Sequence, residues 1–464
     1  MQVDRLDRLA VPELLDQRNR VPEEVADTWS AATPLRARRP RPPWWLYFGI
    51  VLVFLRFSML HQLLSVTLGT NFYILYWIGI PAILGVLFSG PLKRILKVRA
   101  VKFWLCFSVW IVATIPFSFW PGGSFGVVEA FWKTELVMLF VIAGMAVTWR
   151  ECRLIYLAVV AGTFTNLLTA RLFGQEINNR LGVTVGTVAN ANDFAAHLLF
   201  TLPFLVWLIL SSKNALVRVV AVPGIAYGVY RILASGSRGA AVALAIDILF
   251  VLWSAPKQRR FLLWASAATI TIVAIAALPA ATWQRILALA QNSSDAPQEA
   301  VESAENRKLL LEKSIEYTLR HPVFGIGPGQ FSNYIGPSSS AERRDARWHA
   351  AHNSYLAVAS EGGIPAFFFY MAAIVSTFGM LRRTATRVRR DPKQYRDLVP
   401  AVFALQLSFI GFCVAIFFLN FSYFFYLPAM TGLTIGISFV ASQNETDIAP
   451  GSDKHKLEWG AVAE

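Results

Sequence analysis

Three arginines and two histidines stand at the edges of apolar runs or in one long polar stretch between them: Arg180, Arg238, Arg307, His349 and His352. A glutamate, Glu361, lies inside the apolar run that His352 opens. A guanidinium can present a bidentate fork to a pair of phosphate oxygens. An imidazole titrates near neutral pH and can take a proton from a hydroxyl. Arginines beside histidines therefore suggest a charged leaving group and a nucleophile that must be deprotonated.

Each residue also has a plainer reading. Arg238 stands in ASGSRGAA (234–241), where small residues admit a ligand to the backbone, yet an arginine there could simply snorkel to an interface. Arg180 precedes a Gly- and Asn-rich re-entry, LGVTVGTVANANDFAAH (181–197), and shares that alternative. Arg307 opens the helical pattern ENRKLLLEKSIEYTLR (305–320), where the helix dipole disfavours a cation. A bound anion or a salt bridge to Glu302 or Glu305 would each explain it. His352 is followed by Asn353, Ser354 and Tyr355, which could hydrogen-bond around it, and an interfacial anchor is the alternative. Glu361 precedes GGIP (362–365), a run expected to kink a helix. An acid there is either functional or a structural partner for a buried arginine. GIGPGQ (325–330) reads as a structural turn, because Pro328 removes a donor and no strand precedes it.

What must position these residues follows from composition. The 464 residues are 55% hydrophobic and 16% charged, with 34 Phe and 15 Trp. A soluble average is about 25% charged. Apolar runs near 44–60, 72–90, 102–119, 131–148, 154–170, 192–210, 216–233, 239–254, 261–279, 353–380, 398–419 and 422–440 each approach the roughly 20 residues of a helical span. The expected fold class is all-α: a polytopic integral membrane protein of about twelve transmembrane helices, with one long loop between helices 9 and 10.

Orientation follows from the basic residues. With the N-terminal tail inside, the segments 31–43, 91–102, 149–153, 211–218, 255–260 and 381–397 are also inside and hold 23 Lys and Arg. The opposite short loops hold only Lys133, Arg171, Arg180 and Arg238. Positive residues favour the cytoplasmic side, so both termini are expected in the cytosol. The expected organisation is a cytosolic tail at 1–43, without a cleavable signal, nine helices over 44–279, an external loop at 280–352, three helices over 353–440, and a cytosolic tail at 441–464. Within the loop, 291–304 reads as a linker, and Leu310, Leu311, Ile315 and Leu319 give 305–320 an apolar helical face.

The net charge of +14 comes in short clusters between apolar runs, which points to membrane lipid as the partner and away from nucleic acid. Cys106, Cys152 and Cys413 form no CxxC or His/Cys cluster, so neither a disulfide framework nor a metal site is expected. A transporter remains the alternative class, although the chain shows no repeat of two halves.

SRGA in a short loop, then ENR and an amphipathic helix leading to HPVFGIGPGQF, then HNSYLAVASEGGIPAFFF, resembles the O-antigen ligase and O-antigen polymerase family (Wzy_C-type) of bacterial polytopic glycosyltransferases. The likeness covers roughly 175–380. It implies twelve spans of a GT-C-like fold in the bacterial inner membrane, a long periplasmic loop at 280–352, and transfer of a glycan from undecaprenyl diphosphate to an acceptor hydroxyl without metal or other cofactor. The acceptor would be a growing glycan, lipid A core or another hydroxyl. By resemblance, Arg238 and Arg307, with Arg180 beside them, bind the donor diphosphate and His352 is catalytic, while Glu361, Asn353 and His349 support the site.

Overall fold

The computed structural model describes residues 43–177, 180–182, 188, 190–254, 298–335 and 351–446, with single positions at 261, 265, 269, 272 and 276. From Trp44 the chain runs through α1 (Trp44–Ser58), α2 (Leu60–Leu68), α3 (Ile74–Phe88), α4 (Leu92–Ile95), α5 (Arg99–Thr114), α6 (Pro121–Ala130), α7 (Val137–Met145) and α8 (Trp149–Phe173). An antiparallel hairpin follows, β1 (Gln175–Ile177) and β2 (Arg180–Gly182). Then come α9 (Ala191–Ser211), α10 (Ala215–Ala234), α11 (Arg238–Ser254), α12 (Gln298–Arg320), α13 (Ser354–Arg390), α14 (Leu398–Ala415) and α15 (Tyr426–Thr446).

Among the described residues, six helices are long and apolar enough to cross a membrane: α5 with the turn that extends it to Phe117, α8, α9, α10, α13 and α14. The pair α1 and α2, bent by 67°, makes a seventh if taken as one span. The chain is an α-helical, multi-pass membrane protein. Helices suit such sequences because they satisfy every backbone group internally where no water can. Other expected spans are shorter here. α3 has 15 residues, and the run at 131–148 is split into a π turn, Phe131–Glu135, and nine residues of α7. The expected span 261–279 lies almost wholly outside the described residues.

Three sequence expectations need correction. The stretch read as a linker at 291–304 is already helical from Gln298, because the spacing that begins at Leu310 extends back over good helix formers. α13 continues past the expected end of its span to Arg390, so part of the basic loop at 381–397 is helix. The chain expected to be all-α also carries, where the re-entry begins, the short hairpin in which Ile177 pairs with Arg180.

The bend after α1 shows how the bundle absorbs a break. Met59 sits at φ 53, outside the helical region. The freed Phe57 carbonyl accepts from Asn166 Nδ2 at 2.6 Å. His197 bridges that carbonyl (3.0 Å) and the Tyr426 hydroxyl (2.8 Å), so polar groups of α8, α9 and α15 are spent on the broken end of α1. Around them Phe57, Phe200, Phe412, Phe421, Phe425 and Tyr426 form a continuous aromatic core.

Candidate functional site

The SRGA loop joins α10 to α11. Gly236 adopts φ 62, which reverses the chain, and the Ser237 hydroxyl accepts from Ala240 N at 3.4 Å as the cap of α11. Arg238 thereby occupies the first position of that helix and is half-buried. A helix start carries partial positive charge and suits an anion, and a guanidinium placed there strengthens the preference. Gly239 has no room for a side chain, since a Cβ would come within 2.5 Å of Phe418 in the connector between α14 and α15.

Arg307 reaches the same place from α12. Burial, and after it the positive charge of Arg238, lowers its guanidinium pKa from the ordinary value. The two arginines, far apart in sequence, are therefore electrostatic neighbours. α12 is held by Leu310, Ser314 and Tyr317, all buried, and packs along α13. Leu311, Ile315 and Leu319 are exposed, so only Leu310 of the four expected apolar positions faces the protein. The Ser314 hydroxyl donates to Leu310 O at 2.7 Å, which lets a polar residue sit on the buried face and masks that face in the sequence.

His352 precedes α13. Ala351 joins Leu310, Tyr317, Ile326, Phe331, Ile335 and Ala357 in a small apolar cluster, which fixes the residue before His352 against the helix that bears Arg307. Asn353 caps α13, its Oδ1 accepting from Tyr355 N and Leu356 N at 2.9 and 3.0 Å. Ser354 ties the same turn to the connector: its N–H donates to Ile416 O (3.0 Å), its hydroxyl to Leu419 O (2.6 Å), and Phe421 N donates back to the hydroxyl (2.7 Å). Arg238, Arg307 and His352 thus gather at one end of the bundle, beside the segment 416–421. Arg180 lies in β2, and only its backbone is described. His349 lies outside the described residues.

Glu361 has a different task. It is buried at the kink of α13, where Gly363 takes φ 76. Its carboxylate accepts from Gly329 N at 2.9 Å and Phe331 N at 3.2 Å. Gly325 N, Ile326 N, Gly327 N and Gln330 N donate to the carbonyls of His321, Ser360, Glu361 and Gly327. These bonds consume the turn's donors, so GIGPGQ is a structural turn locked onto the kink. Gly325, Gly327 and Gly329 all have positive φ, and a Cβ on Gly327 would lie 1.9 Å from the Ser118 hydroxyl, so alternate glycines are obligatory. Replacing Glu361 with glutamine should lower the unfolding midpoint in detergent and the amount of folded protein, leaving turnover per folded molecule within a few-fold. Each buried donor left unmatched costs about 1–3 kcal/mol. Turnover that collapses with an unchanged midpoint would refute a positioning role.

Several charged residues were passed over in the sequence. Arg56 of α1 pairs with Glu135 in the π turn, and its guanidinium lies 4.3 Å above the Phe425 ring. Glu135 also accepts from Phe425 N at 2.8 Å, so the pair anchors the far end of the connector. Opposite charges in two separate apolar runs were the available signal. Asp247 in α11 and Arg231 in α10 are buried as well. Among the described residues no group of three or more His, Cys, Asp or Glu is placed to hold a metal ion.

Comparison with known proteins bears on this end of the bundle. Residues 223–371 match the model of a family described as O-antigen ligase. A teichuronic acid biosynthesis protein of Bacillus subtilis (strain 168), TuaE, is 28% identical over 153 residues, which cover 32% of this chain and 30% of that protein. The match therefore spans less than a third of that relative's length. It is over residues 223–371, which include Arg238, Arg307 and His352, that the resemblance to the O-antigen ligase family is shown.

Proposed function

We propose that this protein transfers a glycan from an undecaprenyl-diphosphate donor to an acceptor hydroxyl at the periplasmic face of the bacterial inner membrane, in polysaccharide biosynthesis. The reading places about twelve spans in the membrane, both termini in the cytosol and the long loop outside. The observation that carries it is the convergence of Arg238 and Arg307 from separate elements beside the start of α13. Two guanidiniums brought together disfavour each other, and an anion between them turns that cost into attraction.

A lipid diphosphate is that anion and is already a competent leaving group. The acceptor oxygen attacks the anomeric carbon, the bond from that carbon to the phosphate oxygen breaks, and undecaprenyl diphosphate departs with its charge held by the arginines. His352 takes the acceptor's proton. The relative's part in teichuronic acid biosynthesis supports a place in making a surface polymer.

Purified protein in vesicles, given a lipid-linked oligosaccharide and an acceptor glycan, should yield a longer glycan or a conjugate without ATP or added divalent metal. Movement of intact donor across the vesicle with no change in the glycan would instead establish the flippase or transporter.

A further inference from the structure

Arg231 lies in the last turn of α10, on the approach to the SRGA loop, and is 4% exposed. Its Nη1 donates to the Ala170 carbonyl of α8 at 3.0 Å, and the guanidinium carbon lies 5.9 Å from the Phe194 ring centroid of α9. Gly174, just before β1, leaves the room the group needs, because a Cβ there would come within 3.0 Å of both Nη atoms. Nε and Nη2 have no hydrogen-bond partner. Those two atoms share one edge of the guanidinium, the edge that grips two oxygens of one anion at once. The third nitrogen is the one tied down, so the group is fixed with its fork free. No carboxylate pairs with it among the described residues.

A buried, unpaired cation is among the costliest groups a fold can hold. Water offers the fork an acceptor but leaves the charge unbalanced, whereas an oxyanion meets both needs. From this we infer that Arg231 is an anion-binding residue of the substrate site, gripping a phosphate or a sugar carboxylate of the lipid-linked glycan beside α8, α9 and the hairpin. The inference rests on the proposed glycan transfer for the identity of the ligand, and on the free fork for the existence of the site. Arg231 is turned toward α8 and α9, so it grips a second position on the substrate, apart from Arg238 and Arg307.

The test uses full-length protein in detergent and in vesicles, with Arg231→Gln, which removes the charge, and Arg231→Lys, which keeps the charge without the fork. Unfolding midpoints are measured with inorganic diphosphate, with glucuronate and with neutral glucose. Wild type should be stabilised by at least one anion and not by glucose, and the gain should vanish in Arg231→Gln and shrink in Arg231→Lys. In the transfer assay KM for donor should rise about 10- to 100-fold in Arg231→Gln, as for a lost charge-assisted contact, with kcat changed far less. A rise confined to donors bearing a uronic acid names the carboxylate as the ligand, and an equal rise with neutral glycans names the phosphate. An Arg231→Gln protein that keeps the anion-dependent gain, or that folds and transfers with unchanged KM, overturns the inference. Should wild type transfer nothing, the anion-dependent midpoint still tests Arg231 apart from the proposed reaction.

Discussion

Replacing His352 with alanine should slow glycan transfer per folded molecule by roughly 100- to 10,000-fold while donor affinity stays close to wild type. That range is the usual contribution of a positioned general base. The geometry makes the substitution informative, because several neighbouring groups hold this turn. Asn353 caps α13, Ser354 stitches it to Ile416, Leu419 and Phe421, and Ala351 seats it in the apolar cluster. Truncating His352 leaves each of those contacts in place, so the folded amount should change little. The measurement is turnover normalised to folded protein, alongside donor binding. A variant that binds donor and turns over within a few-fold of wild type would remove His352 from the reaction.

For Arg238 and Arg307 the expected loss is roughly 30- to 1000-fold, from about 2–4 kcal/mol of transition-state stabilisation withdrawn from the leaving group. Lysine should rescue either position poorly, since an ammonium keeps the charge but cannot grip two oxygens. The two arginines also sit in each other's field, which separates this prediction from one about ordinary surface charge. Removing either relieves a repulsion, so Arg307→Ala without donor should be no less stable than wild type. The stabilisation that donor confers on wild type should be lost in the same variant. If both charges serve one anion, as proposed, the double variant should fall short of the product of the two single losses. Strictly multiplicative effects, or a donor-dependent midpoint shift that survives in Arg307→Ala, would mean that the arginines do not share a diphosphate.

Much of this arrangement was readable from residue types alone. Apolar runs gave the helices, GGIP gave the kink at Gly363, and Pro328 argued against an anion nest in GIGPGQ. Arg238, Arg307 and His352 drew attention as polar residues beside apolar runs, but nothing local says that they meet. Their meeting depends on Gly239 lying against Phe418, on Ala351 lying beside Leu310, and on Ser354 bonding to the connector. These contacts are long-range and leave no periodic trace. The task of Glu361 was hidden for the same reason, since its partners are backbone N–H groups, which every sequence possesses. Span lengths misled where helices break. A hydropathy run does not register the left-handed Met59 or the π turn at 131–135, although both decide how buried charges are matched.

The turn at 325–330 decides how this protein could be recombined with its relatives. The matched stretch, 223–371, looks like a cassette that could be exchanged between related chains. It does not end at its own boundaries. Trp110 Nε1 donates to Gly362 O at 2.9 Å, Phe119 N to Ile326 O at 2.9 Å, and the Ser124 hydroxyl to Pro328 O at 3.1 Å. Phe117 stacks on Phe324 with centroids 4.0 Å apart. A graft cut at the family limits would carry the turn into a host lacking its seat, and the unit of exchange must therefore include residues 99–124 with the segment they hold.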